Sequence, residues 1–288
     1  MFYQTLLGAI TLVAVLATTP FTAQAFDDSI YPNMKGRWNR FIRRDLPPNP
    51  AAPFDQTKSP GLAQGAPLTP EYTAIMEANL AKQAAGHQGD FTGSGCVHGM
   101  PLMMGAFYPL EMIVTPDVTY VLINYVDHGR RIYTDGRDWP KDLEPTYAGY
   151  SIGKWIDTDG DGRYDMLEVE TRGPFKGPRF YDATGLPLHR DNQSVFKERI
   201  HLDKADPNVL HDEITIIDNA LTRPWTVDKR YFRSNDPRPN WPEFNCSEQN
   251  AEVNIGDEHY YLSADGLLMP STKNQPPPDL KYFKRSER

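Results

Sequence analysis

Tyr150-Ser-Ile-Gly-Lys-Trp-Ile156, Asp157-Thr-Asp-Gly-Asp-Gly-Arg-Tyr-Asp165 and Met166-Leu-Glu-Val-Glu-Thr171 read as a strand, an acidic loop and a second strand. The first arm holds β-branched Ile152 and Ile156 around Gly153, and the second alternates Leu167, Val169 and Thr171 with Glu168 and Glu170. A period of two is what a half-buried strand requires. Working outward, similar runs cover Glu111 to Thr115, Thr119 to Val126, Arg130 to Thr134, Val195 to Leu202, Glu213 to Ile217, Thr226 to Phe232, Glu258 to Ser263 and Leu267 to Met269. Turn signals such as Pro116-Asp117, Asp135-Gly136, Asp206-Pro207-Asn208 and Asp265-Gly266 separate them. Short strands with tight turns and almost no helical crossover imply a mainly β fold, an antiparallel barrel or barrel-like sheet. One helix is expected N-terminal to it, over 70–85, where Thr69-Pro70-Glu71 supplies a cap and Tyr72, Ile75, Met76 and Leu80 form an apolar face.

The acidic loop carries its own chemistry. Alternate carboxylates with a sharp glycine turn suit a hard cation that takes six to eight oxygen ligands. Asp157 to Glu168 fits the EF-hand pattern D-x-D-x-D-G-x5-E, yet strands stand where that motif needs helices. The loop therefore resembles the strand-loop-strand calcium hairpin of integrin FG-GAP repeats. That resemblance implies side-chain ligation by Asp157, Asp159, Asp161 and Asp165, a backbone carbonyl from Arg163, and a structural Ca²⁺ as cofactor. The alternative is an acidic turn whose Asp and Gly serve the backbone alone.

The first 25 residues have no charged side chain, an apolar run from Leu6 to Ala17 and the small-x-small ending Ala23-Gln24-Ala25, which reads as a secretory signal peptide. The expected location is periplasmic or secreted, with no stable membrane anchor after cleavage. A net charge of −8 and a pI near 5.4 argue against nucleic acid and anionic membranes as partners. Cys96 and Cys246 are the only cysteines, and in an oxidising compartment the pair is expected to form a disulfide. The organisation expected is a Pro-rich extended segment over 26–68, a single β-rich domain over 69–271 and a Pro-rich, basic tail over 272–288.

Arg131-Ile-Tyr-Thr-Asp-Gly-Arg137, Gly149-Tyr-Ser-Ile-Gly-Lys-Trp155, Leu167-Glu-Val-Glu-Thr171 and Leu221-Thr-Arg-Pro-Trp-Thr226 resemble, in motif and order, a family of exported proteins common in proteobacteria. The resemblance covers Leu68 to Phe232 and implies export without implying an activity. The strand pattern is also similar to calycin-type barrels such as lipocalins, which hold an apolar ligand inside.

Among motifs with chemistry, Gly149-Tyr-Ser-Ile-Gly153 matches the G-x-S-x-G elbow, but Ser151 runs on into a strand and the acidic loop, so no helix follows to serve an oxyanion. Cys96, His98, Met100, Met103 and Met104 offer soft ligands for copper, or a half-disulfide beside gap-filling methionines. The histidines show no H-x-H or H-x3-H spacing, which argues against zinc. On the strand from Val195 to Leu202, Glu198 shares a face with Phe196, Ile200 and Leu202. A carboxyl group placed there serves a pocket or balances an internal arginine. Its expected ligand-binding neighbours are Arg131, Tyr133, Glu213 and Arg223. The favoured function is binding of a small, partly apolar ligand; the alternatives are an acid-base enzyme using Glu198 with His128 or His189, and a structural barrel filled by side chains.

Overall fold

Alternating apolar and polar residues draw nine strands into one closed sheet with the apolar set inside. The computed structural model describes residues 26–40, 65–85, 99–105, 109–124, 129–177, 179–182, 185–241, 252–255, 258–263, 265–271 and 274–277. Residues 1–25, most of the Pro-rich stretch, Cys96, His98, His128, Cys246 and the tail from 278 onward lie outside the described residues.

The barrel strands are β1 (Arg37–Arg40), β2 (Leu110–Val114), β3 (Val118–Ile123), β4 (Arg130–Tyr133), β5 (Tyr150–Ile156), β6 (Met166–Arg172), β7 (Val195–Leu202), β8 (Val209–Ile217) and β9 (Trp225–Arg233). They follow chain order around the barrel, and β1 closes it by pairing with both β2 and β9. Every pairing is antiparallel except the parallel β4–β5 contact. The mainly β, closed-barrel architecture is thus the calycin-like one expected, with helix α1 (Pro70–Ala84) preceding most strands. The Thr69 hydroxyl accepts the Tyr72 N–H at 3.3 Å, as an N-cap does, and Met76 is buried on the helix's apolar face.

Three features differ from expectation. Arg37–Arg40, within the segment read as extended and Pro-rich, is a barrel strand whose Trp38 is fully buried. Strand β8 begins at Val209 rather than Glu213. A separate three-stranded sheet, β10 (Glu252–Ile255), β11 (Glu258–Leu262) and β12 (Leu268–Pro270), adds one strand to the two expected there.

Trp38 explains why so short and charged a segment can close the barrel. Its ring is buried, its Nε1 donates to the Met34 carbonyl at 2.9 Å, and the Arg233 guanidinium lies 4.2 Å from the ring centroid. A large buried aromatic with its polar atom satisfied anchors a strand that has little propensity of its own. The Gly99–Gly105 segment, including a 3-10 turn at Leu102–Gly105, packs Met100, Met103 and Met104 into the core. A Cβ at Gly99 would meet the Tyr147 carbonyl oxygen at 2.2 Å, so only glycine permits this approach. Trp38→Ala is expected to cost about 3–5 kcal/mol of unfolding free energy, read as a lower urea midpoint. An unchanged midpoint would mean that β1 does not close the barrel in solution.

Candidate functional site

The parity that makes the barrel apolar inside also carries charge inside. On β7 the buried series is Phe196, Glu198, Ile200; on β8 it is Leu210, Asp212, Ile214, Ile216; on β9 it is Trp225, Val227, Lys229, Tyr231. On β4, Arg130 and Ile132 point inward. Four ionisable side chains, Arg130, Glu198, Asp212 and Lys229, are therefore enclosed at 2% exposure or less.

Arg130 and Glu198 form a two-pronged pair, with Nη1 2.8 Å from Oε1 and Nη2 bonded to Oε2. Arg130 also donates from Nη2 to Thr171 Oγ1 at 2.8 Å and from Nε to Ser151 Oγ at 3.3 Å. Burial works to lower the Arg130 pKa, but the Glu198 charge and its hydrogen bonds outweigh that and leave it raised. Desolvating two charges costs several kcal/mol each, which only such geometry with every donor engaged can offset.

Asp212 is in the opposite condition. Neither of its carboxyl oxygens has a hydrogen-bond partner among the described residues, although the side chain is 1% exposed. Burial, then the nearby Glu198 charge, push its pKa well above the usual carboxylate range, against the pull of Lys229 and Arg130. Lys229 faces Asp212 in the strand register, while its Nζ donates to the Pro101 carbonyl at 3.2 Å and lies 5.0 Å from the Tyr181 ring centroid. The Tyr231 hydroxyl donates to the Met104 carbonyl. The Gly99–Gly105 segment is thus tied down by two side chains that flank Asp212's level of the barrel. Thr119 Oγ1, Trp155 Nε1 and Trp225 Nε1 are further buried polar atoms without a partner among the described residues.

Arg130, Glu198, Asp212 and Lys229 thus bring two basic and two acidic side chains together inside the barrel. A neutral carboxyl group can donate one hydrogen bond and accept another. Together with an ammonium, it can hold the head of a small anion or a polar group at the end of an apolar molecule.

Glu198 faces inward as its parity predicted, but its partner is Arg130 and not Arg131. Arg131 is exposed on the outer wall, 5.8 Å over the Tyr120 ring; Tyr133 stacks on Tyr150 at 4.9 Å; Glu213 pairs outside with Arg199 at 3.0 Å; Arg223 is exposed. These four residues do not gather round Glu198. His189 Nδ1 lies 3.0 Å from Asp191 Oδ2 and its ring packs on Tyr72, so its contacts lie away from Glu198. Ser151 lies in β5, where its hydroxyl serves Arg130 and Thr171. Arg130, Asp212 and Lys229 are the site residues that sequence reasoning missed, though each shares parity with an apolar neighbour: Ile132, Ile214 and Val227.

The β5–β6 hairpin places oxygen atoms of Asp157, Asp159 and Asp161 within 4.8 Å of one another. Asp157 accepts the Gly160 and Gly162 amides at 2.7 and 2.9 Å, and those glycines adopt φ of +78° and +88°. Asp165 accepts the Thr158 amide at 3.0 Å. The donors are hard carboxylates held in one small loop, a set suited to Ca²⁺.

Comparison with protein-family models and with curated proteins returns no match. The functional reading therefore rests on the chemistry of the barrel itself. Glu198→Gln is expected to destabilise the fold by about 3–5 kcal/mol, because half of a buried pair is left uncompensated. Glu213→Gln, which breaks an exposed pair, should cost less than about 1 kcal/mol. Thermal melts of the two variants that coincide would contradict the assignment.

Proposed function

We propose that the chain is an exported, calcium-stabilised β-barrel protein that binds a small, partly apolar ligand, whose polar end meets Asp212 and Lys229. The observation that carries this reading is Asp212, a buried carboxyl group with both oxygens unpartnered among the described residues, set among apolar walls. A fold selected for stability alone gains nothing from such a group, since burying a polar side chain without a hydrogen bond costs free energy. Lys229, which faces Asp212 in the strand register, favours an anionic head group on the ligand, such as the carboxylate of a small apolar acid. Export is supported by the uncharged, apolar first 25 residues and their Ala23-Gln24-Ala25 ending. The enzyme alternative built on Glu198 has less support, because both Glu198 oxygens are already engaged by Arg130.

Native mass spectrometry of protein purified from its own compartment is the direct test, with a retained small acid as the expected result. Asp212→Asn supplies the control. The folded-state pKa of Asp212 is raised, so its contribution to stability is present at low pH and is lost as pH rises through that value. The variant should therefore melt at or above the parent temperature at neutral pH while losing retained ligand, the exchange of stability for function expected at a binding position. No retained mass in the parent, together with a more stable variant, would mean a barrel filled by side chains and would overturn the reading.

The calcium part has its own measurement. Adding Ca²⁺ to EDTA-treated protein should raise the melting temperature by mass action on the folded state, and Mg²⁺ should do less because its octahedral shell is smaller and stricter. Asp159→Ala should abolish the response; a flat response in the parent would remove calcium from the proposal.

A further inference from the structure

On the outer face of β8, His211 stands with a carboxylate at each ring nitrogen. Nδ1 lies 3.0 Å from both oxygens of Asp228 on β9, and Nε2 lies 3.4 Å from Asp203 Oδ2 in the β7–β8 turn. The His211 and Asp228 side chains are only 12% and 13% exposed, so water and salt screen the pair weakly. A neutral imidazole carries one N–H and one lone pair. Whichever nitrogen holds the proton, the other turns its lone pair to a carboxylate; only the imidazolium donates to both. The arrangement therefore favours the charged ring.

Each carboxylate has a second task. Asp203 Oδ1 accepts the Ala205 and Asp206 amides, both at 2.8 Å, and so closes the β7–β8 turn. Asp228 Oδ2 accepts Arg230 Nε at 2.8 Å. His211 thus joins the turn to β9 across β8.

The other charged groups round the ring are named easily. His201, its register partner on β7, lies parallel to it within 4° at 5.0 Å, with Nδ1 3.2 Å from the Leu202 carbonyl oxygen and Nε2 3.6 Å from Glu213 Oε1. Glu213 is also held by Arg199 at 3.0 Å, and Lys204 Nζ lies 4.0 Å from Asp165 of the acidic hairpin. Arg230 faces His211 in the β8–β9 register, and Tyr164 shares with these groups the lining of a cleft of about 790 Å³. The Asp228 hydrogen bond raises the His211 pKa above the ordinary imidazole value of 6.5, against burial and the Arg230 charge.

We propose that His211, Asp203 and Asp228 form a proton-operated clip on the outer wall, closed while the ring is charged and ties the β7–β8 turn to β9, and released when the ring is neutral. Asp212 and Lys229, register partners on the inner face, are the chain neighbours of His211 and Asp228. The clip therefore fastens the stretch of wall that carries the interior pair, whether or not that pair holds a ligand.

A raised folded-state pKa, as at His211, gives stability that is fully present below the unfolded value and is lost as pH rises through the folded one. The two carboxylates have lowered values: Asp203 chiefly through the Asp206 and Ala205 amides, and Asp228, against its burial, through hydrogen bonds from His211 and Arg230. Their share is present above the ordinary carboxylate range and lost as pH falls through the folded values. All three groups are charged together at about pH 5–6, where the clip is closed.

The test compares thermal melts of the parent and His211→Gln at about pH 5.5 and about pH 8.5, on either side of the imidazole range, with excess Ca²⁺ present to occupy the acidic hairpin. Asp212 titrates in the same sense, so the difference between the two proteins is the readout. Between the two pH values the parent should lose a few degrees more than the variant. NMR titration of the parent, with the His211 ring assigned through its backbone, should give a midpoint above 6.5, and Asp228→Asn and Asp203→Asn should each lower it. Asparagine at 203 keeps an oxygen for the turn amides, so a fall there reports lost charge and not a lost turn. A His211 midpoint at or below 6.5 in the parent, or equal losses of melting temperature in the parent and folded His211→Gln, would overturn the proposal.

Discussion

The ion pair between Arg130 and Glu198 is the constraint on which the barrel depends. Its partners come from β4 and β7, which are not neighbours in the sheet, so the guanidinium crosses the interior above Ser151 of β5 and Thr171 of β6. Four consecutive strands are thereby locked in one register. A slip of one residue in any of them would turn its inward set outward, and it would leave a charge or a hydroxyl buried without its partner. The parallel β4–β5 contact, only two register pairs long, is one of the two shortest seams of the barrel and involves the strand that carries Arg130. Hydrophobic burial supplies the stability, while the pair supplies the specificity of closure.

That clamp also sets the state of Asp212. Arg130 meets both Glu198 oxygens, and burial, then the Glu198 charge nearby, push the Asp212 pKa well above the usual carboxylate range. The raised pKa of Asp212 thus follows from its burial and from where the Arg130 clamp holds Glu198. Lys229, drawn towards the Pro101 carbonyl, links the same interior to the methionine-bearing segment at Gly99–Gly105. The interior charge cluster and the methionine-bearing segment thus share one side chain.

Much of this was legible in the sequence. The period of two from Tyr150 to Ile156 and from Val195 to Leu202 gave those strands their exact bounds, and the parity of Glu198 with Phe196 and Ile200 put it inside. What failed was the choice between adjacent residues: Arg130 and Arg131 are chemically equal, and only the inward parity of Ile132 selects Arg130. Asp212 was hidden because the strand was begun one residue after it, although Asp206-Pro207-Asn208 marks the turn and Leu210 starts the inward series. β1 has no such signal. Its four residues offer one apolar side chain, and their pairing is decided by the two distant strands that accept it. The facing of His201 and His211 is likewise a property of the hairpin register, since residues ten apart make no local motif.

The distribution of polar groups between the two faces bears on what the barrel is for. Outward-facing ion pairs such as Arg199–Glu213 cost little and stabilise little, so their number says nothing about function. An inward carboxyl group is different, because well-packed apolar residues in place of buried ions are often neutral or stabilising by about 1–4 kcal/mol. Glu198 repays its burial through Arg130, Ser151 and Thr171. Asp212 has no comparable return among the described residues, where neither of its oxygens has a hydrogen-bond partner. A carboxyl group buried on those terms, where an apolar residue would serve the fold better, is the feature on which the proposed ligand site rests.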